Sequence, residues 1–164
     1  MRLDIISYQL AELTEDHKLT DACYDIGHLR HVDPDFPLSS LDLQPGRCYI
    51  GSGTRRSFSA GSYSGYGQWR SMLCRSALGV EPHVVWDSAE RWKESPFFEL
   101  INFSDCEGMI GPLAAASLHE DFSANRELVT RVNQDAGHLW FVDLYNTWEE
   151  AFALAANHGL VLFC

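Results

Sequence analysis

With 164 residues, 46% of them apolar, and a formal net charge of −11, the chain is long enough to bury roughly two-thirds of the surface its unfolded form exposes. That composition excludes an intrinsically disordered protein. The acid excess excludes one that coats nucleic acid by neutralising phosphates, so no direct nucleic-acid binding is expected.

Five cysteines, Cys23, Cys48, Cys74, Cys106 and Cys164, are odd in number and include no CxxC pair. They imply reduced thiols in a cytoplasmic protein, with no disulfide framework, metal site or cofactor. Neither a signal peptide, for which the opening apolar run is too short, nor a membrane-spanning stretch of about 20 apolar residues is read from the sequence.

In chain order, Leu3 to Leu10 predicts a strand, and Asp33-Pro34-Asp35-Phe36-Pro37 places a loop across 32–46. Arg47 to Ile50 and Arg55 to Ala60 read as two strands of a hairpin turning at Gly51-Ser52-Gly53. From Tyr66 the spacing of Trp69, Met72, Leu73 and Ala77 predicts a helix stopped by Gly79. Val84 to Trp86 reads as a brief strand, and the β-rich run from Phe97 to Phe103 as the central strand. Pro112 then starts a helix continuing to about Phe122. Phe141, Leu144, Tyr145, Trp148, Ala151, Phe152 and Ala155 form the apolar face of a last helix, which ends at Asn157-His158-Gly159. The wholly apolar Leu160 to Phe163 is a buried closing strand. The class is α+β, a single domain over residues 1–164 with one small mixed or antiparallel sheet covered by about three helices.

Charge is unevenly distributed. Residues 46–80 hold five arginines and no acid. Within that segment Arg55, Arg56 and Arg70, with Ser62, Tyr63 and Ser64 in a Gly/Ser-rich stretch before a helix, form a candidate anion-binding loop. Glycines admit close approach, hydroxyls and helix N-terminal amides donate hydrogen bonds, and guanidinium groups fork onto phosphate or carboxylate. The alternative is that the glycines make turns, the serines cap the helix and the arginines pair with surface acids. It is neither a Walker loop nor a dinucleotide fingerprint.

Ser104-Asp105-Cys106-Glu107-Gly108, between a predicted strand and a helix, is the candidate reactive segment. Asp105, Cys106 and Glu107 offer acid/base groups and a nucleophile, against a plain reading as turn residues and a buried thiol. His28 and His31 with Asp33 and Asp35 have a spacing that could hold a divalent ion, but two imidazoles in a proline-containing loop read better as a solvated face.

The segments Gly61-Ser62-Tyr63-Ser64-Gly65-Tyr66 with Trp69-Arg70, and Pro96 to Gly108 with Ile110-Gly111-Pro112, resemble a group of uncharacterised bacterial proteins of similar length. Trp148 with Glu150-Ala151-Phe152 and Ala155-Ala156-Asn157 is similar to the same group, so the resemblance covers about residues 60–164. It implies that the two candidate loops belong to one recurring architecture and brings no catalytic residue.

Three functions follow as expectations. The first is a small regulatory or inhibitory binding protein that contacts an anionic small molecule or an acidic protein partner through the Gly/Ser/Arg loop. The second is a hydrolase or transferase acting on a phosphate-bearing small molecule. The third is an acidic inhibitor that mimics nucleic acid in host–phage conflict. The two candidate loops are expected to converge, with Tyr63 or Ser64 near Asp105 or Glu107 at one end of the sheet; the enzyme reading depends on that, and the anion-binding reading does not.

Overall fold

Leu3, Ile5 and Ser7 point to one side of the first strand and Ile6 and Tyr8 to the other, and all five are buried, as a central strand requires. The computed structural model describes residues 2–14, 43, 48–103 and 108–164. β1 (Arg2–Thr14) pairs antiparallel with β2 (Cys48–Ser62) on one side and with β4 (Leu160–Phe163) on the other, and β3 (Gly108–Ile110) pairs antiparallel with β4. The result is an open four-stranded antiparallel sheet in the order β2-β1-β4-β3. All four residues of β4 are buried because both faces of the sheet are covered at that strand.

The expected hairpin at Gly51-Ser52-Gly53 does not form; those glycines lie inside one continuous strand. A side chain at Gly51 would stand 2.5 Å from Cγ of Tyr8, so its absence lets the phenol ring lie across the β2 backbone. Gly53 has φ 74° beside a register shift between Tyr8 and Leu10, and the Thr54 N–H donates to Gln9 Oε1 at 3.2 Å. The positive φ serves a bulge rather than a reversal.

Six helices follow among the described residues: α1 (Tyr63–Leu78), α2 (Pro82–Trp86), α3 (Ala89–Trp92), α4 (Phe98–Asn102), α5 (Pro112–Asp135) and α6 (Leu139–Ala155). α1 buries Trp69, Met72 and Leu73, as their spacing requires, and ends at Gly79 with φ 73°. The predicted strands at Val84–Trp86 and Phe97–Phe103 are instead occupied by α2 and α4. In the second, Phe97 takes φ 62°, its N–H donates to Asp121 Oδ2 at 2.7 Å, and its carbonyl accepts from Leu100 and Ile101. A short run that is apolar at nearly every position satisfies a buried strand or a buried helical turn equally, and the Asp121 contact selects the turn. α5 starts at Pro112 as expected but runs to Asp135, because Phe122, Val129 and Asn133 continue its buried stripe.

α1, α5 and α6 cover the face of the sheet that carries Leu3, Ile5, Phe58, Ala60, Ile110, Val161 and Phe163. The opposite face carries a second apolar cluster of Ile6, Tyr8, Met109, Leu160 and Leu162 with Leu43 and Tyr49. The Ser7 hydroxyl, on the helical face, donates to the Ala151 carbonyl at 2.7 Å and ties β1 to α6. Among the described residues no helix is long and apolar enough to cross a membrane, and Cys74 and Cys164 are free thiols.

At the centre of the main core the Trp148 ring lies 5.0 Å from Phe58, 5.8 Å from Tyr66, 5.7 Å from Trp69 and 5.4 Å from Phe163, centroid to centroid. Trp148→Ala is expected to cost about 3–5 kcal/mol of unfolding free energy, the range for deleting a fully buried large aromatic. Trp140→Ala, at a site 44% exposed, should cost under about 1 kcal/mol, consistent with surface substitutions in general. Urea denaturation of the two variants checks the difference.

Candidate binding groove

The residues of the predicted anion loop do not converge. Directly opposed residues on neighbouring strands share a face, so Arg55, paired with Tyr8, and Arg56, paired with Ser7, leave opposite sides of the sheet. Arg55 lies 5.8 Å from the centroid of the Tyr8 ring, a cation–π distance. Arg56 makes an ion pair with Glu150 of α6. Arg70, 6% exposed, donates from Nη1 to the Phe103 carbonyl at 2.8 Å, with the Tyr66 and Trp86 rings 5.2 and 5.3 Å from its guanidinium carbon.

Ser62 is the N-cap of α1: its hydroxyl oxygen accepts from the Gly65 N–H at 3.0 Å and shares a 3.0 Å hydrogen bond with the Ser64 hydroxyl. Tyr63 is half-buried against the main core. The loop is therefore short, since β2 passes into α1 through its cap.

Asp105, Cys106 and Glu107, with Ser104, lie outside the described residues, as do His28, His31, Asp33 and Asp35. Among the described residues no group of three or more His, Cys, Asp or Glu side chains could hold a metal ion. The flanks of residues 104–107 are placed: Phe103 beside Arg70, and Gly108 opposite Phe163. Phe58, Ile5, Phe163 and Gly108 make one row across the sheet. The Ser62 end of β2 and the Gly108 end of β3 thus share one end of the sheet, on its two opposite edges, about 14 Å apart at the usual strand spacing.

A site that sequence reasoning missed lies along the outer edge of β2. Phe58, Ser59, Ala60 and Gly61 form one wall and Trp140, Asp143, Leu144 and Thr147 of α6 the other, with Gly65 of α1 also in the lining, of an open groove of about 460 Å³. β2 is an edge strand, hydrogen-bonded to no second strand among the described residues. Ala60 is the extra residue of a bulge between Leu3 and Asp4, and the Ser59 hydroxyl accepts from the Gly61 N–H at 3.1 Å and from Arg2 at 2.7 Å. The Arg56–Glu150 ion pair stands at one end of the groove, and at the other Leu139 and Trp140 are exposed, 64% and 44%. Trp140 was legible as a large aromatic immediately before, and outside, the apolar stripe that starts at Phe141.

A second hollow of about 300 Å³ lies between α1 and the end of α5, lined by Met72, Arg75, Ser76, Val132, Asn133, Ala136 and His138. Asn133 Nδ2 donates there to Ser76 Oγ and the Val129 carbonyl, and Arg75 pairs with Glu81.

Two carboxyls, the buried Glu99 and the half-buried Asp121, lie outside both hollows. Burial pushes Glu99 up to about 7, with the Asp121 and Glu94 charges adding to the rise, and burial pushes Asp121 up to about 6, against its hydrogen bond from Phe97. Asp121 serves α4 by holding the Phe97 backbone.

Comparison of the chain with protein-family models, curated proteins and solved structures finds no match, so the groove is interpreted from its own geometry.

Glu99 has a definite signature in solution. Below about pH 4.5 it is protonated in both folded and unfolded chains and contributes no difference. As pH rises toward 7 the unfolded chain releases the proton while the folded one retains it, so the folded state loses stability, on the order of 3 kcal/mol once the pH is above both values. Glu99→Gln should match the parent near pH 4 and exceed it by up to that amount at pH 8, as read from urea midpoints across the range.

Proposed function

We propose that this protein binds a partner polypeptide and takes an extended segment of it into the groove between β2 and α6. The observation that carries the reading is that one wall of the groove is, among the described residues, an edge strand. Apart from the Gly61 N–H, which the Ser59 hydroxyl accepts, its outward N–H and C=O groups are suited to pairing with an added strand, and the facing helix supplies apolar contacts for alternate side chains.

The dimensions agree. Arg56 meets Glu150 and Phe58 meets Trp148, so α6 runs antiparallel to β2. From Phe58 to Gly61 and from Thr147 to Trp140 both walls extend about 10 Å, the length of three or four extended residues. Among the described residues the lining is largely apolar and carries no cation, which favours a polypeptide over a small anion at this place. Arg55, Arg56 and Arg70 point in three different directions, so the first expectation is retained for its binding role and changed in its contact surface. The Arg55 and Arg56 charges also guard the edge strand against indiscriminate pairing.

Selection of a random dodecapeptide phage library on the folded protein, followed by titration of the enriched peptides into isotopically labelled protein, tests this. Amide shifts confined to residues 58–61 and 140–147, with a tenfold or greater loss of affinity in Trp140→Ala, are expected. Failure to enrich any sequence, or shifts lying elsewhere, would overturn the proposal.

A further inference from the structure

We infer that the groove selects a basic residue, so that the partner segment carries a lysine or arginine among apolar residues, its cation set against Asp143 and the Trp140 ring. The inference rests on the binding role proposed above and adds the chemistry of the occupant.

The charge pairing of α6 points to it. The helix carries three carboxylates: Glu149 pairs with Arg126 and Glu150 with Arg56, whereas Asp143 pairs with no cation among the described residues. Asp143 lines the groove. A role in compensating the helix dipole does not account for it, because it is the fifth residue of α6, beyond the first turn in which that effect is concentrated.

Trp140 is three residues earlier on the same helix and lines the same groove, a spacing that makes the two side chains neighbours. An indole face beside a carboxylate is the combination that holds an ammonium or guanidinium group, through ring quadrupole and charge together. The wider field agrees in sign. α5 and α6 carry seven carboxylates against Arg126 and Arg131, and the whole chain is at −11, so a basic segment is drawn to this side of the molecule. Ala60 and Phe58 in the strand wall supply apolar surface for the neighbouring residues of the segment.

The dodecapeptide library is selected in parallel on the parent and on Asp143→Lys, each verified as folded by circular dichroism. The parent pool should be enriched at least fivefold in Lys or Arg at one position over the input library. The Asp143→Lys pool should lose that enrichment or exchange it for Asp and Glu. An enriched basic peptide should bind Asp143→Asn at least tenfold more weakly, and Trp140→Leu several-fold more weakly, with affinity falling as sodium chloride is raised. The norleucine version of the same peptide should bind parent and Asp143→Asn alike. Pools that map to the groove with no basic preference, or a preference unchanged in Asp143→Lys, overturn the inference and leave the binding role standing. No enriched pool, or one mapping elsewhere, overturns both.

Discussion

The indole of Trp148 occupies the point where sheet and helices must be joined. It projects from α6 and meets Phe58 of β2 edge-on, Tyr66 and Trp69 of α1, Phe152 of its own helix and Phe163 of β4. Aromatic rings combine large buried area with preferred relative orientations, so one side chain sets the separation and angle between α6 and the strands beneath it. The Ser7 hydroxyl on the Ala151 carbonyl and the Trp69 indole N–H on the Phe141 carbonyl extend that attachment toward the two ends of α6.

The groove is a consequence of this attachment. Where α6 is drawn onto the sheet, at Trp148 and beyond, Glu150 meets Arg56 and the space beside β2 closes. Toward its start the helix turns Trp140 and Asp143 outward, and the small residues Ala60, Gly61 and Gly65 facing it fill little volume. An apolar lining, a strand edge and a carboxylate with no cation partner among the described residues therefore come together. The same geometry accounts for the arginine segment. Alternation along β2 sends Arg55 and Arg56 to opposite faces, and the helical position of Arg70 turns it inward to Phe103.

Much of the fold was legible in the sequence. The stripe of Trp69, Met72 and Leu73, the stripe from Phe141 to Ala155, Pro112 as a helix start, Gly79 as a helix stop and Leu160 to Phe163 as a buried strand are each encoded within one element. Spacing along the chain determines which side of a helix or strand is apolar, whatever it packs against. The α+β class follows from the order of those elements.

Other features were decided only by contacts between residues distant in sequence. Gly51 and Gly53 read locally as a turn, but the Tyr8 ring and the Gln9 side chain from another strand make them a straight passage with a bulge. Phe97 to Phe103 reads locally as a strand, but Asp121 captures the Phe97 N–H and the segment coils into α4. The candidate site belongs to the same category, because its walls, 58–61 and 140–147, are unremarkable in isolation. Composition and periodicity thus determined the first and last strands, the three long helices and the sign of the charge. Strand partners, the direction of each arginine and the existence of the groove were left to the tertiary structure, because hydrogen-bond pairing and close packing depend on which surfaces meet and no local pattern records that.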